Sequence, residues 1–238
     1  MQQETTIKGY LDLCRISNLP TVWTNVLCAS VLATGSFAIK PYLLLAAVLS
    51  CFYLAGMCLN DIFDADHDRV QRPSRPIPSG RVSLKGAWFL TFGLFASGLM
   101  LLLKAPFRQG LYCSFLLIAA IVWYDRCHKE YPFSVLLMAF CRLLVFAVTS
   151  LALIGETPLL VLAAGGIQFA YVVCISLVAR YENNSPTPFT FPVVPLMLAG
   201  ISLLDGIVLA VLVSPIWLVA GIGGGGLMLT GQRVVKGD

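Results

Sequence analysis

Charged side chains are scarce in this chain. Asp, Glu, Lys and Arg together make up 12% of its 238 residues, about half the ~25% usual in a soluble domain. With 58% hydrophobic residues, that shortage excludes an ordinary water-soluble domain and indicates a membrane protein. Histidine occurs only twice, at 67 and 128. None of the eight cysteines (14, 28, 51, 58, 113, 127, 141, 174) stands in a Cys-x-x-Cys or other metal-ligand spacing. Most lie in apolar runs and read as small core residues, not as a disulfide framework. No Ser/Gly-rich linker or charged tail interrupts the chain, so 1–238 is expected to form a single domain. No cleavable signal peptide is evident, since the first apolar run starts near Leu19 and no small-residue cleavage site follows it. The net charge of +4 speaks to membrane orientation and not to nucleic acid.

What is abundant is apolar sequence in segments of about 20 residues, the length that crosses a bilayer as a helix. Eight spans are expected, at about 19–39, 42–59, 83–103, 107–124, 132–154, 157–179, 190–212 and 215–232. The fold class is therefore all-α, a polytopic membrane bundle of about eight helices. Asp205-Gly206 could split the seventh span, and the glycine run 222–226 reads as tight helix packing or a break. With alternating spans, twelve of the sixteen Lys and Arg residues fall on the side of the N-terminus and three on the other, with Arg142 inside a span. That bias predicts an even number of spans and both termini in the cytoplasm.

The densest polar stretch is Asn60-Asp61-Ile62-Phe63-Asp64-Ala65-Asp66-His67-Asp68, which holds four of the twelve acidic residues. If the second apolar helix continues through it, Asn60, Asp64 and Asp68 share one stripe with Asp61 beside it. Asp66 and His67 fall off the stripe and are expected in solvent. Like charges on one face repel, and hard oxygens in this number suit Mg²⁺ completed by a substrate phosphate. The alternative is a merely solvated acidic helix end. Against it stand Arg69, Arg72, Arg75 and Arg81 in the segment that follows, because guanidinium groups bind phosphate oxygens in pairs of hydrogen bonds. Pro73, Pro76 and Pro78 are expected to hold that loop extended. Acids for a cation beside arginines for an oxyanion suit a leaving diphosphate.

Asn60-Asp61-x-x-Asp64-x-x-x-Asp68, with Arg-Pro-Ile-Pro-Ser-Gly at 75–80, resembles the first aspartate-rich motif of the UbiA superfamily of intramembrane prenyltransferases. The resemblance implies a helical bundle around a central cavity. It implies Mg²⁺ held by Asn60, Asp61, Asp64 and Asp68, and an isoprenyl diphosphate as donor. Tyr124-Asp125-Arg126-Cys127-His128-Lys129 is similar to the family's Tyr/Lys segment in the loop after the fourth helix, with Lys129 as a phosphate ligand. Interfacial anchoring is the other reading of Tyr124 and Lys129. At the end of the sixth helix the family carries further aspartates for a second Mg²⁺. Here Leu177-Val178-Ala179-Arg180-Tyr181-Glu182-Asn183-Asn184 leaves Glu182 alone as an acid, with Arg180 in place to supply the missing positive charge. In this departure the chain is similar to the shortened Ebo-type branch.

Arg142 lies about ten residues into a span, where a charge is expensive and faces a cavity or a partner. A cavity place near the diphosphate is favoured; a structural pair with Asp205 is the alternative. Asn25 faces the same cavity or makes a helix contact. His128 is a weak candidate base.

The resulting expectation is Mg²⁺-dependent transfer of an isoprenyl group to an aromatic or lipidic acceptor within the cytoplasmic membrane. Asp64, Asp68, Tyr124 and Lys129 would act as catalytic residues. Arg72, Arg75, Lys129, Arg142 and Arg180 would bind the diphosphate. Asn60, Asp61, Asp64, Asp68 and Glu182 would hold metal. The alternatives are a non-catalytic prenyl-lipid or metabolite carrier on the same scaffold, or a terpene cyclase.

Overall fold

The computed structural model describes residues 7–127, 131, 133–184 and 191–235. Among these the chain is helical throughout. A short helix α1 (Ile7–Leu13) and a 3₁₀ turn lead into α2 (Leu19–Thr34). There follow α3 (Ile39–Gln71), α4 (Leu84–Leu102), α5 (Gln109–Cys127), α6 (Ser134–Ile154), α7 (Leu159–Asn184), α8 (Val193–Leu212) and α9 (Leu218–Gln232). Each of the eight expected spans has its helix. Seven of them, α2 to α8, are long and apolar enough to cross a membrane. The last, α9, has 15 residues and reaches only about 22 Å, short of a ~30 Å hydrocarbon core.

Apolar side chains cover the outside: Phe89 is 84% exposed, Leu159 80% and Val211 78%. In water such a surface would be untenable; in lipid it is the solvated one. The inside is built from apolar faces of α2, α3, α4, α5 and α6 meeting around Phe52, Leu49, Val148 and Leu144.

Contacts between helix ends define the two ends of the bundle. At one, Asn18 before α2 meets Gln232 of α9, and Asn60 of α3 meets Asp125 of α5. At the other, the Phe107 N–H before α5 donates to the Ala152 carbonyl of α6, and the rings of Phe37 and Trp217 pack edge to face.

Three expected boundaries shift. The second span does not stop near 59: α3 runs unbroken to Gln71, 33 residues in all. At about 50 Å it outreaches the bilayer core, so its acidic end stands at the membrane face. Tyr124 and Asp125 belong to the last turn of α5, not to a loop. The polar stretch from Arg180 begins as helix, because α7 continues to Asn184. The segment after α3 is also not extended. It is a chain of turns, in which the N–H groups of Arg75, Ser79 and Gly80 donate to the carbonyls of Arg72, Arg75 and Ile77. Gly80 supplies the left-handed residue, φ 77°. The prolines yield to tertiary packing because Ile77 and Val82 are buried against Leu13, Cys14, Cys58 and Ile62.

Asp205-Gly206 does not split α8, which is continuous from 193 to 212. Gly206 and Gly221 let α8 and α9 touch backbone to backbone. A Cβ at Gly206 would lie 2.8 Å from Gly221 Cα, and one at Gly221 2.8 Å from the Ser202 carbonyl oxygen. Within the glycine-rich run, Gly224 and Gly225 are also tightly packed, against Thr24 and Ala199, while Gly223 and Gly226 face open space. Replacing Gly221 by Val should destabilise the protein by about 1–3 kcal/mol through forced separation of the helices. A lowered midpoint of thermal unfolding in detergent would show it, whereas Gly223→Ala, with nothing within 4 Å of its added Cβ, should be near neutral.

Candidate active site at the mouth of a cavity

The acids of α3 gather around one arginine. Asp61, Asp64 and Asp68 are 4%, 7% and 2% exposed, while Asp66 and His67, off the stripe, are exposed. All three buried carboxylates converge on one atom, Nη1 of Arg75. It lies 2.7 Å from Asp68 Oδ2, 3.3 Å from Asp61 Oδ1 and 3.9 Å from Asp64 Oδ2. Asp61 Oδ1 also accepts from Arg15 Nη2 at 3.0 Å. Helical spacing puts the acids together. The buried Ile77 fixes the following turn, so that Arg75 reaches back over them. Arg15 reaches them from the other side. It follows α1 in a left-handed conformation, φ 46°, and its neighbour Cys14 is pinned to α3 with its sulfur 3.4 Å from that of Cys58.

The expected arginines therefore divide. Arg75 is at the acids. Arg72 is exposed at the end of α3, where its backbone caps the helix through the Asp68 carbonyl. Arg81 pairs with Asp12 at 2.7 Å and donates to the Ser74 carbonyl, so it ties the loop to α1. Arg69 pairs with the exposed Asp66.

Asn60 turns from the acid stripe to Asp125 of α5, donating to its Oδ1 at 3.3 Å. Asp125 is buried, and with Tyr124 it brings the end of α5 to this mouth. Lys129 and His128 lie outside the described residues. Arg180 and Glu182 sit half-buried in the last turns of α7, which packs chiefly on α6, α8 and α2. Among the described residues no hydrogen bond or ion pair joins Glu182 to the acids of α3.

Below the acids opens a cavity of about 170 Å³, lined by Arg15, Asn60, Tyr124 and Asp125 at its rim and by Phe52, Leu49 and Val145 inside. Arg142 is in its wall. Its Nη1 donates to Asn25 Oδ1 at 2.8 Å and its Nη2 to Thr21 Oγ1 at 3.0 Å. Asn25 in turn donates to Asp205 Oδ2 at 2.7 Å. Arg142 thus borders the cavity and is linked to Asp205 through Asn25, not directly.

Two residues of the site escaped the reading of the sequence. Arg15 is separated from Asp61 by 46 positions and nothing local marks it. Asp125 stands inside the Tyr-Asp segment, and its buried place beside Asn60 depends on how α3 and α5 pack.

The described residues thus form a polytopic helical bundle with buried carboxylates and arginines gathered at one end, next to an apolar cavity. The comparisons agree. Residues 19–236 match the model of the UbiA prenyltransferase family, and the chain belongs to that family. It is 34% identical over 133 residues to a 2-acylphloroglucinol 4-prenyltransferase of Humulus lupulus, a stretch that is 49% of this chain and 32% of that protein. It is 39% identical over 93 residues to a digeranylgeranylglyceryl phosphate synthase of Methanoregula boonei, covering 39% of this chain and 33% of that one. The matched stretches thus span about a third of the length of these relatives. Among solved structures, a UbiA homologue from Aeropyrum pernix K1 shares the fold, with TM-score 0.57 and 18% identity over 92% of this chain and 97% of the other. A chain from a study of digeranylgeranylglyceryl phosphate synthase in membranes has TM-score 0.65 at 18% identity, covering 96% and 95%.

Arg75 facing three carboxylates holds this end of α3 together. Arg75→Ala should lower stability by about 2–3 kcal/mol, because it removes the cation shared by three buried carboxylates. Arg72→Ala, at an exposed side chain, should stay within about 0.5 kcal/mol. Equal effects of the two in denaturant titration would contradict this assignment.

Proposed function

We propose that the chain is a Mg²⁺-dependent prenyltransferase that moves an isoprenyl group from its diphosphate to an aromatic or lipidic acceptor inside the membrane. The observation that carries this reading is the convergence of three buried carboxylates on Arg75 and Arg15, next to an apolar cavity that Arg15 and Asn60 line. The charge bias of the loops supports a site on the cytoplasmic face of the cytoplasmic membrane.

UbiA-type prenyltransferases are generally dependent on a divalent metal. The donor set fits a hard cation, since oxygens of Asp61, Asp64 and Asp68 come within 3.9 Å of one point. Among the described residues no group of three His, Cys, Asp or Glu side chains is already arranged to hold a metal ion; Arg75 is the shared neighbour instead. Asp61, Asp64 and Asp68 would be the main ligands, with Asn60 and Glu182 at the margin. When bound, Mg²⁺ supplies positive charge against the diphosphate leaving group.

The chain's own residues do the rest. Arg75 and Arg15 can turn their donors from the carboxylates to phosphate oxygens, and they lose no charge partner in doing so. Lys129, Arg72 and Arg180 would add positive charge around the same anion. The prenyl C–O bond breaks with its electron pair leaving on the diphosphate. The acceptor's electron pair forms the new bond to the allylic carbon, and the acceptor gives up a proton. The apolar wall of Phe52, Leu49 and Val145 keeps water from the allylic cation. Tyr124, at the rim, stands where it can contact that centre.

The second reading, a carrier that binds prenyl lipids without turnover, is favoured by one observation: Glu182 is the sole acid where the family has two or three. Incubating purified protein with Mg²⁺ and a radiolabelled isoprenyl diphosphate decides between the two. Diphosphate release that falls about 100-fold or more in Asp64→Ala and in Asp68→Ala, and that EDTA abolishes, establishes the transferase reading. Binding without release establishes the carrier. Release accompanied by a cyclic hydrocarbon or alcohol in place of a prenylated acceptor would make it a cyclase.

A further inference from the structure

Among the described residues, three charged side chains line the cavity: Arg15, Arg142 and Asp125. Asp125 is the only acid of that lining. Each arginine has its carboxylate outside it. Arg15 donates to Asp61 at 3.0 Å, and Arg142 reaches Asp205 through Asn25. Asp61, Asp64 and Asp68 gather on Arg75 and do not belong to the wall. The negative charge that borders the hollow is therefore that of Asp125, and it comes from α5.

The carboxylate is held in place. Asp125 is 4% exposed and Asn60 9%, and Asn60 Nδ2 donates to Asp125 Oδ1 at 3.3 Å. An ionised carboxylate only accepts, so the amide keeps its nitrogen on Asp125. Asn60 precedes Asp64 by four positions on α3, about 6 Å along the helix toward the bilayer interior. Asp125 thus stands about one helical turn deeper than the acids. A diphosphate held at the acids, Arg75 and Arg15 leaves its esterified carbon on the cavity side, at the level of Asp125.

Prenyl transfer creates positive charge at that level. As the C–O bond breaks, both electrons leave with the diphosphate and the allylic carbon becomes cationic. In apolar surroundings a fixed charge acts on it more strongly than it would in water. Aromatic rings attract cations as well, and Phe52, Tyr53 and Tyr124 belong to the same wall.

We propose that Asp125 is a further catalytic residue of this site: its fixed carboxylate stabilises the charge that develops on the allylic carbon, and Asn60 is the positioning residue that holds it. Asp125 forms no bond in the step; it acts through its charge, oriented in advance where the cation appears. The inference rests on the prenyl-transfer reading above. It gives α5 a part in the chemistry that the acids of α3, already met by arginines, do not take.

The test is binding of a stable cation that imitates the allylic one, measured by equilibrium dialysis of the detergent-solubilised full chain with Mg²⁺ and inorganic diphosphate. The probes are N,N-dimethylgeranylamine, positive at neutral pH, the neutral alcohol geraniol and tetramethylammonium. Wild type should bind the amine about tenfold or more tightly than geraniol and should not retain tetramethylammonium. Asp125→Asn keeps the shape and an oxygen for Asn60 but removes the charge. It should erase the preference for the amine, while its affinity for the slowly reacting geranyl thiolodiphosphate stays within about twofold. Asp125→Glu, which keeps the charge, should retain the preference in part. Diphosphate release in a single turnover of geranyl diphosphate should fall about 100-fold in Asp125→Asn, a loss that a merely structural role would not combine with intact affinity. Should Asp125→Asn fail to fold, wild type and Asp125→Glu decide: a preference for the amine in both supports the proposal, and its absence from either overturns it. The proposal is also overturned if Asp125→Asn keeps the preference, if tetramethylammonium binds as well as the amine, or if Asp125→Asn weakens the thiolodiphosphate as much as the amine. Turnover without the amine preference removes this proposal and leaves the transferase reading. The preference without turnover removes that reading and leaves a cation subsite at Asp125.

Discussion

Three carboxylates forced together at the end of α3 are the constraint on which this molecule turns. Helical geometry stacks Asp61, Asp64 and Asp68, and burial denies them the water that would screen their repulsion. The chain answers with Arg75 and Arg15, brought from opposite directions by two separate pieces of apolar packing. Ile77 and Val82 bury the loop that carries Arg75, and Leu13 and Cys14 bury the segment that ends in Arg15. The small apolar cluster at this end of the bundle thus exists to hold charges in register.

A second buried polar system lies deeper and is wired differently. Around Arg142 and Asp205 the two charges are kept apart by Asn25, so that neither is satisfied by direct contact. Separation by an amide leaves the guanidinium with donors to offer while Asp205, held by Asn25 and Gln168, still offsets its charge at short range. The cavity lining thus brings Arg15, Asn60 and Asp125 together with Arg142 against otherwise apolar walls.

Much of this was legible in the sequence. The scarcity of charge and the ~20-residue apolar runs define an all-helical membrane protein, because a bilayer leaves the backbone few other choices. The stripe Asn60, Asp64, Asp68 follows from a period of 3.6 once the helix is known to continue, and it does continue, to Gln71. Gly206 and Gly221 could be seen as small residues in apolar helices, though not as partners of each other. The turn-rich loop at 72–83 was misjudged as extended. The local preference of residues before proline was overridden by burial of Ile77 and by the pull of the carboxylates on Arg75.

The amino-acid order by itself determined the class of fold, the end of α3 where the acids gather and the membership of a family, since these depend on composition, helical period and a local motif. Only the tertiary structure decided which arginines serve the acids, why Asn60 turns to Asp125, and that Arg142 meets Asp205 through Asn25. Those contacts join residues 46, 65, 117 and 180 positions apart. No local pattern encodes them; they arise from how the helices pack against one another.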